Sequence, residues 1–168
     1  MGVSLHEATV AGFQRQLAGL TTILEKGRAH GLDVEQVVET RLADDMLPFR
    51  FQVLSAAHHS WGAVQAARTG SFAPPQMNGE SYADLQAVVA EASAGLAGVT
   101  PEEVEGFVGK DLVFNIRQRS LPFKAETFLL TFSLPNFHFH TSMTYAILRQ
   151  AGTPLGKIDY LGRLHAQA

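Results

Sequence analysis

The chain contains 168 residues, of which 46% are hydrophobic and none is cysteine, and its formal net charge is −3. This length suits a single domain, spanning residues 1–168, that buries a sizeable core. The mild acidic charge excludes the basic footprint of a nucleic-acid-binding protein. The absence of cysteine excludes disulfides, thiolate zinc sites and cysteine nucleophiles, and it fits a reducing cytoplasm, which is the expected location.

Membrane targeting is not expected either. The first residues, MGVSLHEATVAGF, show no basic stretch followed by a continuous apolar run, so we expect no signal peptide. No window approaches about 20 uninterrupted apolar residues, which is the length of a membrane span. Neither nucleic acid nor a membrane is therefore an expected partner.

The first part of the chain has the pattern of a long amphipathic helix. Ser4 and Glu7 have the spacing of a capping box, in which each residue satisfies a backbone N–H of the other. The residues that follow on one face recur at helical intervals: Leu5, Thr9, Phe13, Leu17, Leu20 and Leu24. Gly27 and Gly31 are the candidate ends of this helix.

Proline and capping residues predict further helices. Pro48 fits the first turn of a second long helix that runs to about Arg68, where Thr69-Gly70 ends it. Ser81 with Asp84 predicts the start of a third long helix. Shorter connecting helices are predicted by the cap pairs Asp33/Gln36 and Thr100/Glu103.

The period changes after Lys110. Leu112, Phe114 and Ile116 alternate with more polar neighbours, which predicts a strand. The segment 120–124 predicts a short antiparallel partner, and Pro122 confines that partner to an edge of the sheet. Helical character returns over residues 126–150. The fold class predicted by this order is all-α, a four-helix bundle with a short two-stranded β-hairpin between the third and fourth long helices.

The last helical stretch, LPNFHFHTSMTYAILRQAG, contains two histidines separated by one residue. In a helix, residues two apart point about 200° away from each other, so His138 and His140 lie on nearly opposite faces. The face of His140 is the more apolar, and Asn136 lies on it one turn earlier. A buried Asn–His couple needs hydrogen-bond partners or a ligand, because an unsatisfied polar group costs about 1–3 kcal/mol. Pro135 is expected to kink the helix beside this couple.

Two runs, LADDMLPF and PNFHFHTSMTYAILRQAGTPLGKIDYLG, carry a family resemblance. The chain resembles DUF1993, an uncharacterised bacterial family in the DinB-like superfamily of four-helix bundles, from SLHEATV to the YLG near its end. In many DinB-like proteins three histidines hold a divalent metal. One of these histidines comes from the second helix, and two come from the fourth helix at a spacing of four residues.

The resemblance assigns only part of that metal set to this chain. His140 occupies the second fourth-helix position, whereas Asn136 stands where the first histidine is expected. An amide oxygen is a poorer ligand for zinc or nickel than an imidazole. The second-helix ligand comes from His58 or His59, and matching through ADDMLPF favours His59 without excluding His58.

Three interpretations of His59, Asn136 and His140 remain open at this point. They form a divalent-metal site for zinc or nickel, a metal-free polar pocket for a small molecule, or a buried hydrogen-bonded cluster that fixes helix register. The DinB-like superfamily includes metal-dependent thiol transferases and isomerases, in which the metal acts as a Lewis acid. That resemblance implies a possible class of activity and assigns no catalytic residue. The alternative function is a non-catalytic homodimer whose histidines serve the core.

Other side chains have a functional and a structural interpretation. His138, Tyr145 and Arg149 share the second face of the last helix, where they form either an anion contact or a solvated or subunit-facing surface. Trp61 is either a packing anchor or a stacking platform, and packing is the commoner role for a single tryptophan.

Overall fold

The computed structural model describes residues 2–162 of the chain. Its longer helical elements are α2 (Val10–Ala29), α4 (Phe49–Ala57), α5 (Ala63–Thr69), α6 (Tyr82–Ala97) and α9 (Leu134–Gln150). Its shorter ones are α1 (Leu5–Ala8), α3 (Val34–Val37), α7 (Pro101–Glu105), α8 (Ala125–Thr127) and α10 (Lys157–Leu161). The chain is therefore mostly helical, as the sequence predicts.

Two of the long helical segments contain a widened, π-helical stretch. Helix α4 continues through His58–Gly62 into α5, so that residues 49–69 form one segment. Helix α8 continues through Phe128–Ser133 into α9, so that residues 125–150 form another. The second π-helical stretch lies directly before Pro135, which has no N–H to donate to the preceding turn. π-Helical turns are rare and are found disproportionately at functional sites.

The predicted helix caps are present. Ser4 with Glu7 and Ser81 with Asp84 form capping boxes, and the Asp33 side chain accepts a hydrogen bond from the backbone N–H of Gln36. The first helix is divided, however, at Thr9, where φ is −127° and ψ is −78°. The Thr9 hydroxyl donates to the Leu5 carbonyl at 2.6 Å, and α2 starts at the next residue. The hydroxyl thus bonds to the carbonyl one turn earlier at the residue where the helix divides.

The strands are β1 (Ser71–Phe72), β2 (Asp111–Ile116) and β3 (Arg119–Lys124). The β2–β3 hairpin is antiparallel, as predicted, but β1 pairs with β2 in parallel, so the described part of the chain has a three-stranded sheet of order β1-β2-β3. The prediction of a two-stranded hairpin missed β1 because two residues carry no alternation. Strand β3 lies at the edge, as Pro122 predicts.

The long helical segments pack pairwise around a shared apolar core. Helix α2 contacts α6 and α9, and α4 contacts the same two helices. Phe13 of α2 and Phe137 of α9 meet edge to face, with ring centroids 4.8 Å apart, and both are fully buried. No helix within residues 2–162 is long and apolar enough to cross a membrane.

Candidate functional site

The two histidines of the last long helix lie in different environments. His140 is 8% exposed and belongs to the polar part of the core, whereas His138 lies at the surface. This is the arrangement that helical periodicity predicts for residues two apart. His140 is therefore the residue of this pair that faces the interior of the protein.

Of the two adjacent histidines in the second long segment, His59 is the one that meets His140. His59 is 7% exposed, and its ring centroid lies 5.8 Å from that of His140, with 15° between the ring planes. His58 is only half-buried, and its Nε2 lies 2.6 Å from the Ala73 carbonyl oxygen, outside this cluster. The geometry brings together His59 and His140, whereas His58 lies beside His59, with ring centroids 6.1 Å apart, and bonds to Ala73 instead.

Gln52 determines which nitrogen of His140 carries the proton. The Gln52 Nε2 donates to the Leu47 carbonyl at 2.8 Å, which turns the Oε1 of the same amide toward His140. The His140 Nδ1 lies 2.8 Å from that oxygen. An amide oxygen only accepts, so Nδ1–H is the donor and the proton resides on Nδ1. The Nε2 of His140 is left with a lone pair.

Ser133 does the same for His59. The Ser133 hydroxyl donates to the backbone carbonyl of His59 at 3.0 Å, which uses its only proton. The His59 Nδ1 lies 3.2 Å from the same hydroxyl oxygen, so it is again the protonated nitrogen that donates. Both imidazoles therefore have a proton on Nδ1 and a lone pair on Nε2. Neither Nε2 makes a hydrogen bond to residues within 2–162.

Burial keeps both rings neutral. It lowers the pKa of His59 to about 3, assisted by repulsion from His140 and His58 in their charged forms. Burial alone lowers the pKa of His140 to about 4. A positive charge in an apolar environment loses its hydration, so each ring resists protonation at neutral pH. The pair consequently offers two uncharged nitrogen acceptors.

Asn136 finds its hydrogen-bond partner within its own helical segment. Its Nδ2 donates to the Phe132 carbonyl at 2.7 Å, and its side chain is half-buried. No hydrogen bond joins Asn136 to His140 in the described part of the chain. Asn136 retains its Oδ1 as an acceptor, so it stays a candidate for a ligand-facing position.

Ser55 is a polar side chain that the sequence analysis did not select. It is 1% exposed, and its hydroxyl has no hydrogen-bond partner. It lies on the same stripe of α4 as Gln52 and His59, at spacings of three and four residues. The signal in the sequence is this polar stripe inside an apolar helix. A buried hydroxyl without a partner costs free energy unless a ligand or water satisfies it.

Aromatic side chains surround the two imidazoles. Phe72 and Phe132 lie 5.3 and 5.5 Å from the His59 ring, between ring centroids. Phe51 and Phe139 lie 5.7 and 5.2 Å from the His140 ring. The site is thus a pair of neutral nitrogen acceptors within an aromatic wall, which suits a partly apolar ligand.

The two Nε2 atoms are suitable as two of the ligands of one divalent ion. Each Nε2 is neutral, and the other nitrogen of each ring donates to a fixed acceptor, which is how metal-bound histidines are usually oriented. Within residues 2–162 there is no group of three or more His, Cys, Asp or Glu side chains placed to hold a metal. Two imidazoles alone do not complete the coordination of such an ion, so water or a bound molecule would have to supply further ligands.

The second face of α9 is partly covered by α10. The Tyr160 hydroxyl lies 3.0 Å from the Ser142 hydroxyl, and Tyr145 packs edge to face on the Tyr160 ring. Arg149 donates weakly to the Thr153 carbonyl at 3.5 Å. Of the stripe that the sequence offered as an anion contact or a solvated or subunit-facing surface, Tyr145 packs on α10, Arg149 bonds to the segment before α10, and His138 is exposed.

A family model and a solved structure match this chain over most of its length. The model of a family described as "Domain of unknown function (DUF1993)" matches residues 5–161. A crystal structure of a DinB family member protein from Shewanella denitrificans superimposes with a TM-score of 0.80. That protein is 24% identical in sequence, and the match covers 98% of this chain and 95% of that one. The fold is therefore DinB-like. No curated protein matches this chain significantly.

Proposed function

The chain belongs to the family described as "Domain of unknown function (DUF1993)", and we propose that it is a DinB-like four-helix bundle with a small-molecule site built on His59 and His140. The ligand is held by the two Nε2 atoms, with Asn136 at the edge of the site. The proposal rests on one observation above all. Gln52 and Ser133 fix both rings with the proton on Nδ1, so both Nε2 lone pairs are available.

A purely structural histidine pair does not need this arrangement. Buried polar groups are normally satisfied within the protein. Here each ring has one nitrogen bonded and the other without a partner among the described residues, and the Ser55 hydroxyl nearby on α4 is also unpaired. The buried Ser55 hydroxyl lacks a partner, and the two Nε2 atoms, which are not fully buried, are accessible to a bound molecule.

A divalent cation, zinc or nickel, is the proposed cofactor of the site. Neutral imidazole is a common ligand for both ions. An ion shared by two imidazoles lies about 2.0–2.1 Å from each coordinating nitrogen, and the two ring centroids here are 5.8 Å apart. When bound, such an ion supplies Lewis acidity. The chain's own contribution is to orient the imidazoles through Gln52 and Ser133 and to limit water through the phenylalanine wall.

Metal analysis of protein purified without an affinity tag tests this proposal. We expect zinc or nickel at about one ion per chain, or saturable binding of Zn²⁺ or Ni²⁺ by the chelator-treated protein in calorimetry. His140→Ala should abolish that binding. His138→Ala is the matched control, because it removes an exposed imidazole two residues away and should leave binding unchanged. Failure of the wild-type protein to bind either ion, or equal loss in both variants, contradicts the metal assignment.

A non-catalytic homodimer is the second candidate, and exposed apolar side chains beside His140 favour it. Phe139, whose ring contacts the His140 ring, is 50% exposed. Leu47, whose carbonyl accepts a hydrogen bond from Gln52, is 44% exposed. Apolar side chains of this kind are typical of an interface between subunits. Sedimentation analysis of wild-type protein and Phe139→Ser distinguishes the two candidates. A wild-type dimer that dissociates in Phe139→Ser and binds no metal supports the second candidate over the first.

A further inference from the structure

A second cleft lies beside α4, and His59 and His140 are not among its lining residues. It has a volume of about 200 Å³, is open to solvent, and is lined by residues of α4, α6, the π-helical turn between α4 and α5, and Pro75. Its walls are mostly apolar, and its polar groups come from His58, Trp61 and Glu91. None of these side chains takes part in the site proposed above.

Two glycines create the space for the aromatic walls of this cleft. A Cβ at Gly95 of α6 would lie 2.4 Å from the indole ring of Trp61. A Cβ at Gly62 would lie 2.7 Å from the His58 Nδ1. Both distances are far inside van der Waals contact, so any larger residue at either position would displace a ring. The shape of the cleft thus depends on these two backbone approaches.

His58 presents a hydrogen-bond acceptor beside Gly62. Its Nε2 lies 2.6 Å from the Ala73 carbonyl, and a carbonyl only accepts, so Nε2–H is the donor. The Nδ1 therefore carries the lone pair. It makes no hydrogen bond to residues within 2–162, and it lies beside Gly62, which also lines the cleft.

The charge of the cleft is negative. Glu91 is exposed at its rim and forms no salt bridge with the described residues. The nearest cation to the indole is Arg68, whose guanidinium lies 5.0 Å from the Trp61 ring, but it is paired with both carboxylate oxygens of Glu103 at 2.6 and 3.1 Å. The negative charge of Glu103 is therefore compensated by Arg68, whereas that of Glu91 is not compensated by a salt bridge within residues 2–162.

We propose that this cleft binds a small apolar ammonium ion, with its N–H groups directed to the His58 Nδ1 and the Glu91 carboxylate and its apolar part against Trp61. An ammonium group supplies donors and positive charge, which match an acceptor nitrogen and a carboxylate. The indole and the aliphatic walls accept the apolar part. A neutral analogue keeps the apolar contact and loses the charge, and an anionic analogue loses the donors and is repelled.

The single tryptophan of the chain makes the test direct, because Trp61 is the only indole and it lines the cleft. We use three one-ring probes of similar size: phenethylammonium, 2-phenylethanol and phenylacetate. Phenethylammonium should change the Trp61 fluorescence saturably. 2-Phenylethanol should bind about two- to fivefold more weakly, which is the effect expected of one exposed charge pair. Phenylacetate should give no saturable change.

Variants then assign the charge to Glu91. Glu91→Gln should weaken phenethylammonium binding about two- to fivefold and leave 2-phenylethanol binding unchanged. Glu25→Gln, which removes an exposed carboxylate from α2, is the matched control and should leave both unchanged. His140→Ala should also leave both unchanged, so failure of the first site does not affect this result. Equal binding of all three probes, or an unchanged preference in Glu91→Gln, overturns the proposal.

Folding of the variants does not limit the test, because the preference among the three probes is measured on the wild-type protein. Shifts of backbone amides in ¹H–¹⁵N spectra provide a second readout. They should be concentrated around Gly62 and Gly95 when phenethylammonium is added. Shifts spread over the surface, with no saturation, also overturn the proposal.

Discussion

Ser133 and His59 are joined twice, through the Ser133 hydroxyl, which donates to the His59 carbonyl at 3.0 Å and lies 3.2 Å from the His59 Nδ1. Both residues belong to π-helical stretches, one in each of two facing segments. A π-helical turn contains one residue more than an α turn, so it changes which side chains face a neighbour. The two irregular stretches thus place a serine and a histidine opposite each other in the core.

Ser133→Ala should remove both of these hydrogen bonds. The His59 Nδ1–H would remain buried without its partner, so we expect a loss of about 1–3 kcal/mol in the free energy of unfolding. Urea unfolding measures this loss. Ser93→Ala is the control, since Ser93 bonds only to the Val89 carbonyl of its own helix, at 2.9 Å. That variant should lose about 1 kcal/mol or less, and equal losses would contradict a special role for Ser133.

Gln52→Glu should raise the pKa of His140. The carboxylate would accept the Nδ1–H bond and would also stabilise the positively charged ring, whereas the amide is neutral. A carboxylate at hydrogen-bond distance raises a histidine pKa by about 1 unit or more. NMR titration of the imidazole Cε1–H signals measures the change. Gln36→Glu adds the same charge at an exposed position on α3 and should leave the His140 pKa in place. An unshifted His140 in Gln52→Glu would argue against the Gln52–His140 hydrogen bond.

The helices and their caps were predictable because the signals are local. The Ser81–Asp84 capping box involves residues three apart, and it marks the start of α6 in both sequence and structure. The strand β2 was likewise visible from its alternation over six residues. Such patterns depend on the neighbouring residues alone, so one sequence is sufficient to recognise them.

The partners of the histidines were not predictable in the same way. Gln52 and His140 are 88 residues apart, and their hydrogen bond depends on how α4 crosses α9. Asn136 was expected to lie on the face of His140 and to need a hydrogen-bond partner or a ligand, and the partner of its amide is the backbone carbonyl of Phe132 in the preceding turn. A π-helical turn also rotates the later side chains around the helix axis, and counting at about 100° per residue does not include this rotation.

The stability of the metal-free protein should fall as the pH decreases from about 6.5 to about 4. Both histidines have folded-state pKa values below their ordinary value of 6.5, at about 3 for His59 and about 4 for His140. Between those values and 6.5 the unfolded chain binds more protons than the folded one, so acid favours unfolding. Stability is therefore complete above pH 6.5. Each buried ring contributes a slope of up to about 1.4 kcal/mol per pH unit.

Urea unfolding with a chelator at pH 7.5, 6.5, 5.5 and 4.5 measures this slope. His140→Gln removes one of the rings whose pKa is lowered by burial, so its stability should depend on pH less steeply than that of the wild type below pH 6.5. His30→Gln removes an exposed histidine and should reproduce the wild-type slope. A slope in His140→Gln equal to that of the wild type would mean that His140 is not kept neutral by burial.

Gly95→Ala and Gly12→Ala should change stability in opposite directions. Both glycines lie inside long helices, where alanine is favoured by about 0.5–1 kcal/mol. A Cβ at Gly12 of α2 has no atom within 4 Å, so that variant should gain about this amount. A Cβ at Gly95 would lie 2.4 Å from the Trp61 ring, so that variant must displace the indole and should lose about 1–3 kcal/mol. The fluorescence of Trp61 should shift to the red in Gly95→Ala alone, because the displaced ring meets more water. Gains in both variants, with no spectral shift, would show that Trp61 does not rest on α6.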